Sequence, residues 1–253
     1  MLRTRVIPCL LLKNGQLVKT IRFQKPNYVG DPINIVRIFN TKEVDEVIFL
    51  DISRTPTATP PAFKLIQEIA SECFMPIAYG GGIRTLEDVK KLFALGVEKV
   101  ALNTIAFEDE YFISRVAERY GSQSIIASID VKKNFFGHYK VYSHCGKKKH
   151  AYDPASFAVE MEKKGAGEIL LTSVDRDGTM SGYDIDLIKL VTKVVNIPLI
   201  ACGGAGEIKD FAKAVHVGEA SAVAAGSMVV YQGRNRAVLT RFPKRAELIS
   251  LLP

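Results

Sequence analysis

Asp130 closes the apolar run Ile125–Asp130, and a carboxylate at the end of a buried strand is a candidate proton donor or acceptor. The chain repeats itself once, and this carboxylate fails to repeat. The segment from Asp45 to Arg54 lines up with that from Gly167 to Arg176, an offset of 167 − 45 = 122. At the same offset Pro76, Gly81, Gly82 and Asp88 meet Pro198, Gly203, Gly204 and Asp210. Earlier in each half, the run from Cys9 meets the run from Ser128 at 128 − 9 = 119, which sets Lys13 against Lys132 and Leu11 against Asp130. A symmetric acid/base pair would take one carboxylate from each half. Here an isobutyl group faces one.

Two further groups of residues could act on a ligand. Gly80-Gly81-Gly82-Ile83-Arg84 and Asn103-Thr104 recur as Gly203-Gly204-Ala205-Gly206 and Ala225-Gly226-Ser227. Glycine lets backbone N–H groups approach an anion, and a following helix N-terminus adds favourable partial charge. Two such sites related by the repeat predict a long substrate with a phosphate at each end. Arg5, Glu46, Lys99 and Glu168 stand at the starts of four apolar runs. Charges at that depth need partners, and a ring of two cations and two anions supplies them.

The elements that must position these residues are strands alternating with amphipathic helices. The strand candidates are Arg5–Leu12, Glu46–Asp51, Pro76–Tyr79, Lys99–Leu102, Ile125–Asp130, Glu168–Thr172, Pro198–Ala201 and Ala222–Ala225. Between them the spacing predicts helices at Pro61–Glu72, Thr85–Leu95, Asp109–Tyr120, Pro154–Lys164, Ile185–Val195 and Ile208–Val217. Thr85, Asp153 and Asp184 are placed to cap helix starts, and Gly96, Gly121, Gly165 and Gly218 to close helix ends. Eight units with a two-fold repeat read as an α/β fold, a single (β/α)8 TIM barrel over 1–253 built from half-barrels of about 1–121 and 122–253. Active sites of such barrels lie at the C-terminal strand ends.

Composition narrows the partners. The net charge of +7 suits an anionic small molecule, and the basic residues are spread along the chain apart from Lys147-Lys148-Lys149. No helix-turn-helix or RNA-binding signature accompanies them, so nucleic acid is not expected. No apolar run is long enough to span a membrane, and no signal peptide is read at the start. Cys9, Cys73, Cys145 and Cys202 lack the spacing of disulfide or zinc sites, so a reducing, cytoplasmic setting is expected.

Pro8-Cys9-Leu10, Gly30-Asp31-Pro32, Phe49-Leu50-Asp51-Ile52, Gly80–Arg84, Leu102-Asn103-Thr104 and the run Leu171–Thr179 resemble the cyclase subunit of imidazole glycerol phosphate synthase, the HisF-like family, over nearly the whole chain. That resemblance implies a barrel that receives ammonia from a separate glutaminase subunit at its N-terminal face. It further implies reaction of the ammonia with a doubly phosphorylated ribulosyl nucleotide, giving imidazole glycerol phosphate and an aminoimidazole carboxamide ribotide. The family's two catalytic aspartates fall at Asp130 and at Leu11, so the first is lost. Lys19 matches its lysine in a mobile loop after the first strand, here Lys13 to about Asp31. Arg5, Glu46, Lys99 and Glu168 match its ammonia gate. Lys19, Asp51, Gly81, Gly82, Asn103, Thr104, Thr172, Asp177, Gly203, Gly204, Gly226 and Ser227 are the substrate- and phosphate-binding candidates. No metal and no cofactor is required.

The run Pro8–Lys13 and a short segment after Tyr142 are similar to a branch of the family associated with glycosyl amidation in surface-polysaccharide (O-antigen) gene sets. Resemblance to that branch implies work beside a glutaminase and a sugar amidotransferase that makes acetamidino groups. Three functions therefore stand open. They are a subunit of such an amidotransferase system, a histidine-pathway cyclase managing without its first aspartate, and a non-catalytic scaffold that binds a phosphorylated ligand and activates the glutaminase. His138, His144, Cys145 and His150 match no zinc pattern and read as a solvated loop, while the Pro/Thr-rich stretch from Arg54 to Pro61 reads either as a contact to a sugar or phosphate through its hydroxyls or as an ordinary rigid loop. Asp51 and Asp177 are read as orienting hydroxyls rather than moving protons.

Overall fold

The computed structural model describes residues 4–42, 44–233 and 235–252. Eight parallel strands pair in chain order: β1 (Arg5–Lys13), β2 (Val47–Asp51), β3 (Ile77–Gly80), β4 (Lys99–Leu102), β5 (Ile125–Lys133), β6 (Glu168–Ser173), β7 (Leu199–Cys202) and β8 (Ala222–Ala225). β8 returns to β1 through the register Arg5↔Ala222 to Pro8↔Ala225, so the sheet closes and has no free edge in this ring. The expected (β/α)8 barrel is the fold. Each strand boundary lies within a few residues of its expected place.

Helices α1 (Pro32–Asn40), α2 (Phe63–Glu72), α3 (Leu86–Ala94), α4 (Phe112–Tyr120), α5 (Pro154–Lys163), α6 (Ile185–Thr192), α7 (Ile208–His216) and α8 (Arg245–Leu251) cover the outside. Thr85, Asp153 and Asp184 cap α3, α5 and α6 with their side chains, as expected; Thr85 and Asp88 form a reciprocal capping box. Gly96, Gly121 and Gly165 adopt left-handed φ after their helices. Gly218 does not: the left-handed residue after α7 is Glu219, at φ +62°. Gly218 is instead a packing glycine, because a Cβ there would lie 2.6 Å from the Ala214 carbonyl oxygen and 2.9 Å from Ile188 Cγ2 on α6. Gly218→Ala is expected to lower stability by about 1–3 kcal/mol in urea unfolding, the range for overpacking, even though its φ tolerates alanine.

The strand alternation divides the apolar residues into two cores. Outward positions such as Val6, Leu10, Val47, Phe49 and Tyr79 pack beneath the helices. Inward positions Ile7, Cys9, Ile48, Ala78, Ala101, Ile126, Leu170, Ile200, Ala222 and Ala224 form a separate cluster inside the barrel.

Two segments differ from the sequence reading. The stretch after β1 is not an open loop but a hairpin, Gln16–Ile21 against Gln24–Gly30, whose first strand pairs antiparallel with the end of β1. Asn14-Gly15 starts it with both residues at positive φ (+51° and +80°), the turn that matches strand twist. The region after β5 likewise folds back, Tyr139–Ser143 pairing with Asp130–Lys133. Its histidines are not a solvated loop: Ser143 is fully buried, and its hydroxyl meets His144 Nδ1 at 2.9 Å and His150 Nε2 at 2.8 Å. His150 stacks on Phe107 at 3.7 Å, and Phe107 stacks on Phe157. Only His138 stays exposed. Apolar partners elsewhere in the chain bury what local polarity suggested would be wet.

Candidate active site

At the N-terminal mouth the four charged residues close a ring. Arg5 reaches Glu46 Oε2 at 2.5 Å with Nη1 and Glu168 Oε1 at 2.7 Å with Nη2. Lys99 Nζ lies 3.2 Å from Glu46 Oε1 and 3.1 Å from Glu168 Oε2. Burial alone would lower the Arg5 pKa, but Glu168 and Glu46 outweigh it and hold the guanidinium more firmly protonated than usual. The carboxylates recur by the repeat (168 − 46 = 122), whereas both cations come from the first half.

Above the ring, β1 reports the layering inward: Arg5, then Ile7, then Cys9, then Leu11. The inward apolar residues Ile7, Ile48, Ala78, Ile126, Leu170, Ile200 and Ala222, none of which lines the cavity, fill the barrel between the ring and the cavity floor. That floor is made by Cys9, Leu50, Ala101, Ser128, Cys202 and Ala224. The neighbouring Cys9 thiol and burial raise the Cys202 pKa.

The cavity opens at the C-terminal strand ends and holds about 1210 Å³ of space, part of it continuous with solvent. Every sequence-derived ligand candidate lines it: Lys19, Asp51, Gly81, Gly82, Asn103, Thr104, Thr172, Asp177, Gly203, Gly204, Gly226 and Ser227, together with Asp130 and Leu11. The repeat is visible in atomic detail at the glycine rims. A Cβ on Gly81 would lie 2.5 Å from the Asp51 carbonyl oxygen, and one on Gly203 would lie 2.5 Å from that of Ser173, a residue pair also 173 − 51 = 122 apart. The helix starts expected to help are occupied. Asp88 accepts from Arg84 and Thr85 N–H, and Asp210 accepts from Gly206 and Glu207 N–H. The rim glycines and Ser227 line the cavity, and the Thr104 hydroxyl donates to Asn103 Oδ1 at 3.3 Å and accepts from His144 N–H at 3.2 Å.

Asp130 is buried, and burial pushes its carboxyl up to about 7, with the Asp177 carboxylate adding to the rise and Lys132 opposing it. Asn103 Nδ2 lies 3.4 Å from Asp130 Oδ2 and 2.9 Å from the Ser128 carbonyl. Asp51 lines the cavity, but its oxygens are engaged by Ser53 N–H and Oγ and by Arg54 Nε at 3.0 Å. It braces the start of a helical turn, Arg54–Thr57, where a plain loop was expected.

Asp177 is more than a hydroxyl-orienting group. It is half-buried; desolvation raises its pKa against the pull of Lys19, and it anchors the hairpin over the cavity. Thr20 Oγ1 donates to Asp177 Oδ2 at 2.9 Å, and Arg22 N–H donates to the Asp177 carbonyl at 2.9 Å. Lys19, buried in the same hairpin, donates to the Cys9 carbonyl at 2.6 Å. Lys19 packs against Gly226, where a Cβ would fall 2.2 Å from Lys19 Nζ and 3.1 Å from the Cys9 carbonyl oxygen. A buried cation beside the second glycine rim is suited to an anion.

A model of the histidine biosynthesis protein family matches residues 5–235. The chain belongs to this family. A protein of Pseudomonas aeruginosa, provisionally named imidazole glycerol phosphate synthase subunit hisF2, is 51% identical over 243 residues, covering 96% of this chain and 97% of that protein. One of Vibrio vulnificus, provisionally named subunit hisF3, is 45% identical over 98% of this chain and 95% of its own length. The imidazole glycerol phosphate synthase subunit HisF of Alkaliphilus metalliredigens is 39% identical over 91% of this chain and 92% of its own length.

Several residues of this HisF-like cavity escaped the sequence reading. Thr20, Phe23 and Cys145 enter it from the two hairpins, and Ser128 and Cys202 from the floor. Asn14-Gly15 was a usable signal for the first hairpin, and strand alternation points Ser128 to the same side as Asp130. Nothing local marked Phe23 or Cys145. Among the described residues no cluster of His, Cys, Asp and Glu could hold a metal, and no helix is long and apolar enough to cross a membrane.

Proposed function

We propose that this HisF-like barrel is the synthase-type subunit of a glutamine-dependent amidotransferase system, delivering ammonia for acetamidino-sugar formation in surface polysaccharide. A separate glutaminase would dock on the face bearing Arg5, Glu46, Lys99 and Glu168. Ammonia, small and uncharged, would pass the ring, cross the apolar barrel interior and reach a phosphorylated ligand held near Asp130 by the glycine rims, Thr104, Ser227 and Lys19. The carrying observation is a pairing: the four-charge ring is complete, while Leu11 stands in the cavity where a second carboxylate would face Asp130. Ammonia-handling parts are kept where a ring-closing group is gone.

The exposed side chains on the same face favour a protein partner. Phe74 is 87% exposed in the loop entering β3, and Val194 and Val217 are exposed in the loops entering β7 and β8. The test is amide-¹⁵N-glutamine supplied to this chain with its glutaminase and sugar amidotransferase. Label in the sugar product is expected, and its absence while free ammonium supports amidation would sink the reading.

Asp177 favours a second reading, a histidine-pathway cyclase. Its carboxylate lines the same cavity, adds to the rise of the Asp130 pKa and would supply a second acid/base group from the loop after β6. Rescue of a cyclase-deficient strain by the unmodified chain would favour this reading; rescue by Leu11→Asp alone would favour the first.

A further inference from the structure

The loop after β6 is held by two other elements through its main-chain carbonyls, whereas its counterpart in the first half satisfies its own. Arg22, in the hairpin after β1, donates from Nε to the Asp175 carbonyl at 3.1 Å and from N–H to the Asp177 carbonyl at 2.9 Å. Arg236 Nη2 donates to the Gly178 carbonyl at 2.9 Å from a second hairpin, Tyr231–Gln232 against Ala237–Val238, which follows β8. Gly178 is buried, and a Cβ there would lie 2.0 Å from the Thr20 carbonyl oxygen. The repeat sets Thr55 against Asp177 (177 − 55 = 122). In the Thr55 turn the Arg54 carbonyl accepts from Thr59 N–H and Thr57 Oγ1, and the Thr55 carbonyl from Ala58 N–H. The outside grip is a feature of the second half.

The reach of Arg236 is built into its hairpin. Arg236 sits at φ +51°, a left-handed conformation that is costly for a residue with a side chain. Its guanidinium lies over the ring of buried Tyr231, 5.9 Å from the centroid. Leu239 N–H on the Val230 carbonyl and Arg241 N–H on the Val229 carbonyl, each at 2.9 Å, fix the base of the hairpin. Asp177 and Gly178 line the cavity, and Arg236 stands outside it. We infer that Arg236 is a positioning residue for Asp177: its hold on Gly178 keeps the Asp177 carboxylate in the cavity wall, facing the ligand space and tied to the hairpin after β1. A cation paired directly with that carboxylate would neutralise it. A grip on the next carbonyl fixes its place and leaves its charge and its bond from Thr20 Oγ1 intact. Either reaction considered above meets the same wall, so this role of Arg236 is independent of where the ammonia goes.

The test compares the unmodified chain with Arg236→Met, which keeps a stem over Tyr231 but removes the donor, with Arg236→Lys, and with Asp177→Asn as the reference. Hydrogen exchange at the Arg22 amide, bonded to the Asp177 carbonyl, should quicken about tenfold or more in Arg236→Met, the scale of one lost hydrogen bond. Amides of β5 and β6 should keep their protection, which reports an intact barrel. Carboxyl NMR titration of Asp130 supplies a signed readout that simple loosening does not. Asp130 faces the Asp177 carboxylate from the loop after β6, Lys132 from its own strand and the Asn103 amide from β4. The Cys9 and Cys145 thiols face it from β1 and from the hairpin after β5. Loss of the Arg236 cation alone would raise the Asp130 midpoint, whereas withdrawal of the Asp177 carboxylate lowers it. Arg236→Met should therefore move the midpoint down, in the direction of Asp177→Asn, and Arg236→Lys should move it less. A midpoint that stays or rises in Arg236→Met overturns the assignment, as does unchanged exchange at Arg22. Equal downward shifts with methionine and lysine overturn it as well, because the donor would then be irrelevant.

Discussion

Replacing Asp130 by asparagine is expected to make the ligand-free protein more stable in alkali relative to the unmodified chain. The Asp130 carboxyl titrates at about 7 in the fold, driven chiefly by burial, whereas an unfolded aspartate titrates near 3.9. Between those values the folded chain holds a proton that the unfolded chain has released. Stability from this group is therefore complete below about pH 4 and is lost as pH rises to about 7. From pH 5 to pH 8.5 the loss amounts to about 2–3 kcal/mol at 1.36 kcal/mol per pH unit. Urea unfolding of both proteins at those two pH values should show the variant free of that loss. An equal change in both would mean that Asp130 is solvated and not poised near neutrality. The same poise is what a group needs to take and return protons at physiological pH, so Asp130→Asn should lower any proton-transfer-dependent turnover by about 10²-fold or more.

The charged ring predicts a larger structural effect. Arg5→Met would leave the Glu46 and Glu168 carboxylates, with side chains only 4% and 12% exposed, to share Lys99. Removing one partner from a buried network strands charge, and the expected cost is about 3–5 kcal/mol. Arg5→Met/Glu168→Gln removes one charge of each sign and should recover much of that cost, because one Lys99–Glu46 pair remains. Chemical unfolding of the two variants distinguishes stranded charge from lost packing, since lost packing would be worsened by the second change. If the ring also gates ammonia, the double variant should raise ammonium-dependent turnover while uncoupling it from glutamine.

Lys19 shows how far sequence reading reached and where it stopped. Its place in the cavity wall was legible through the family pattern, but its depth was not. A hairpin that folds back on β1 buries the amine against the Cys9 carbonyl, and Asn14-Gly15 was the only local sign of that turn. Asp51 is the opposite case: its strand-end position was legible, but not that Ser53 and Arg54 engage its oxygens. His150 read as solvated because its neighbours in sequence are polar, while its true neighbours are Phe107 and the buried Ser143.

By itself the sequence determined the eight-stranded barrel, the two-fold repeat, the glycine rims and the mismatch of Leu11 with Asp130. Periodicity and repeat spacing are properties of the chain, and closing the sheet follows from them. The tertiary structure alone decided that Asp177 acts on Asp130 across the cavity and ties down a hairpin. It also decided that four separated charges meet in one ring. These are through-space relations among residues far apart in sequence. Burial and distance set their strength, and neither exists until the chain has closed on itself.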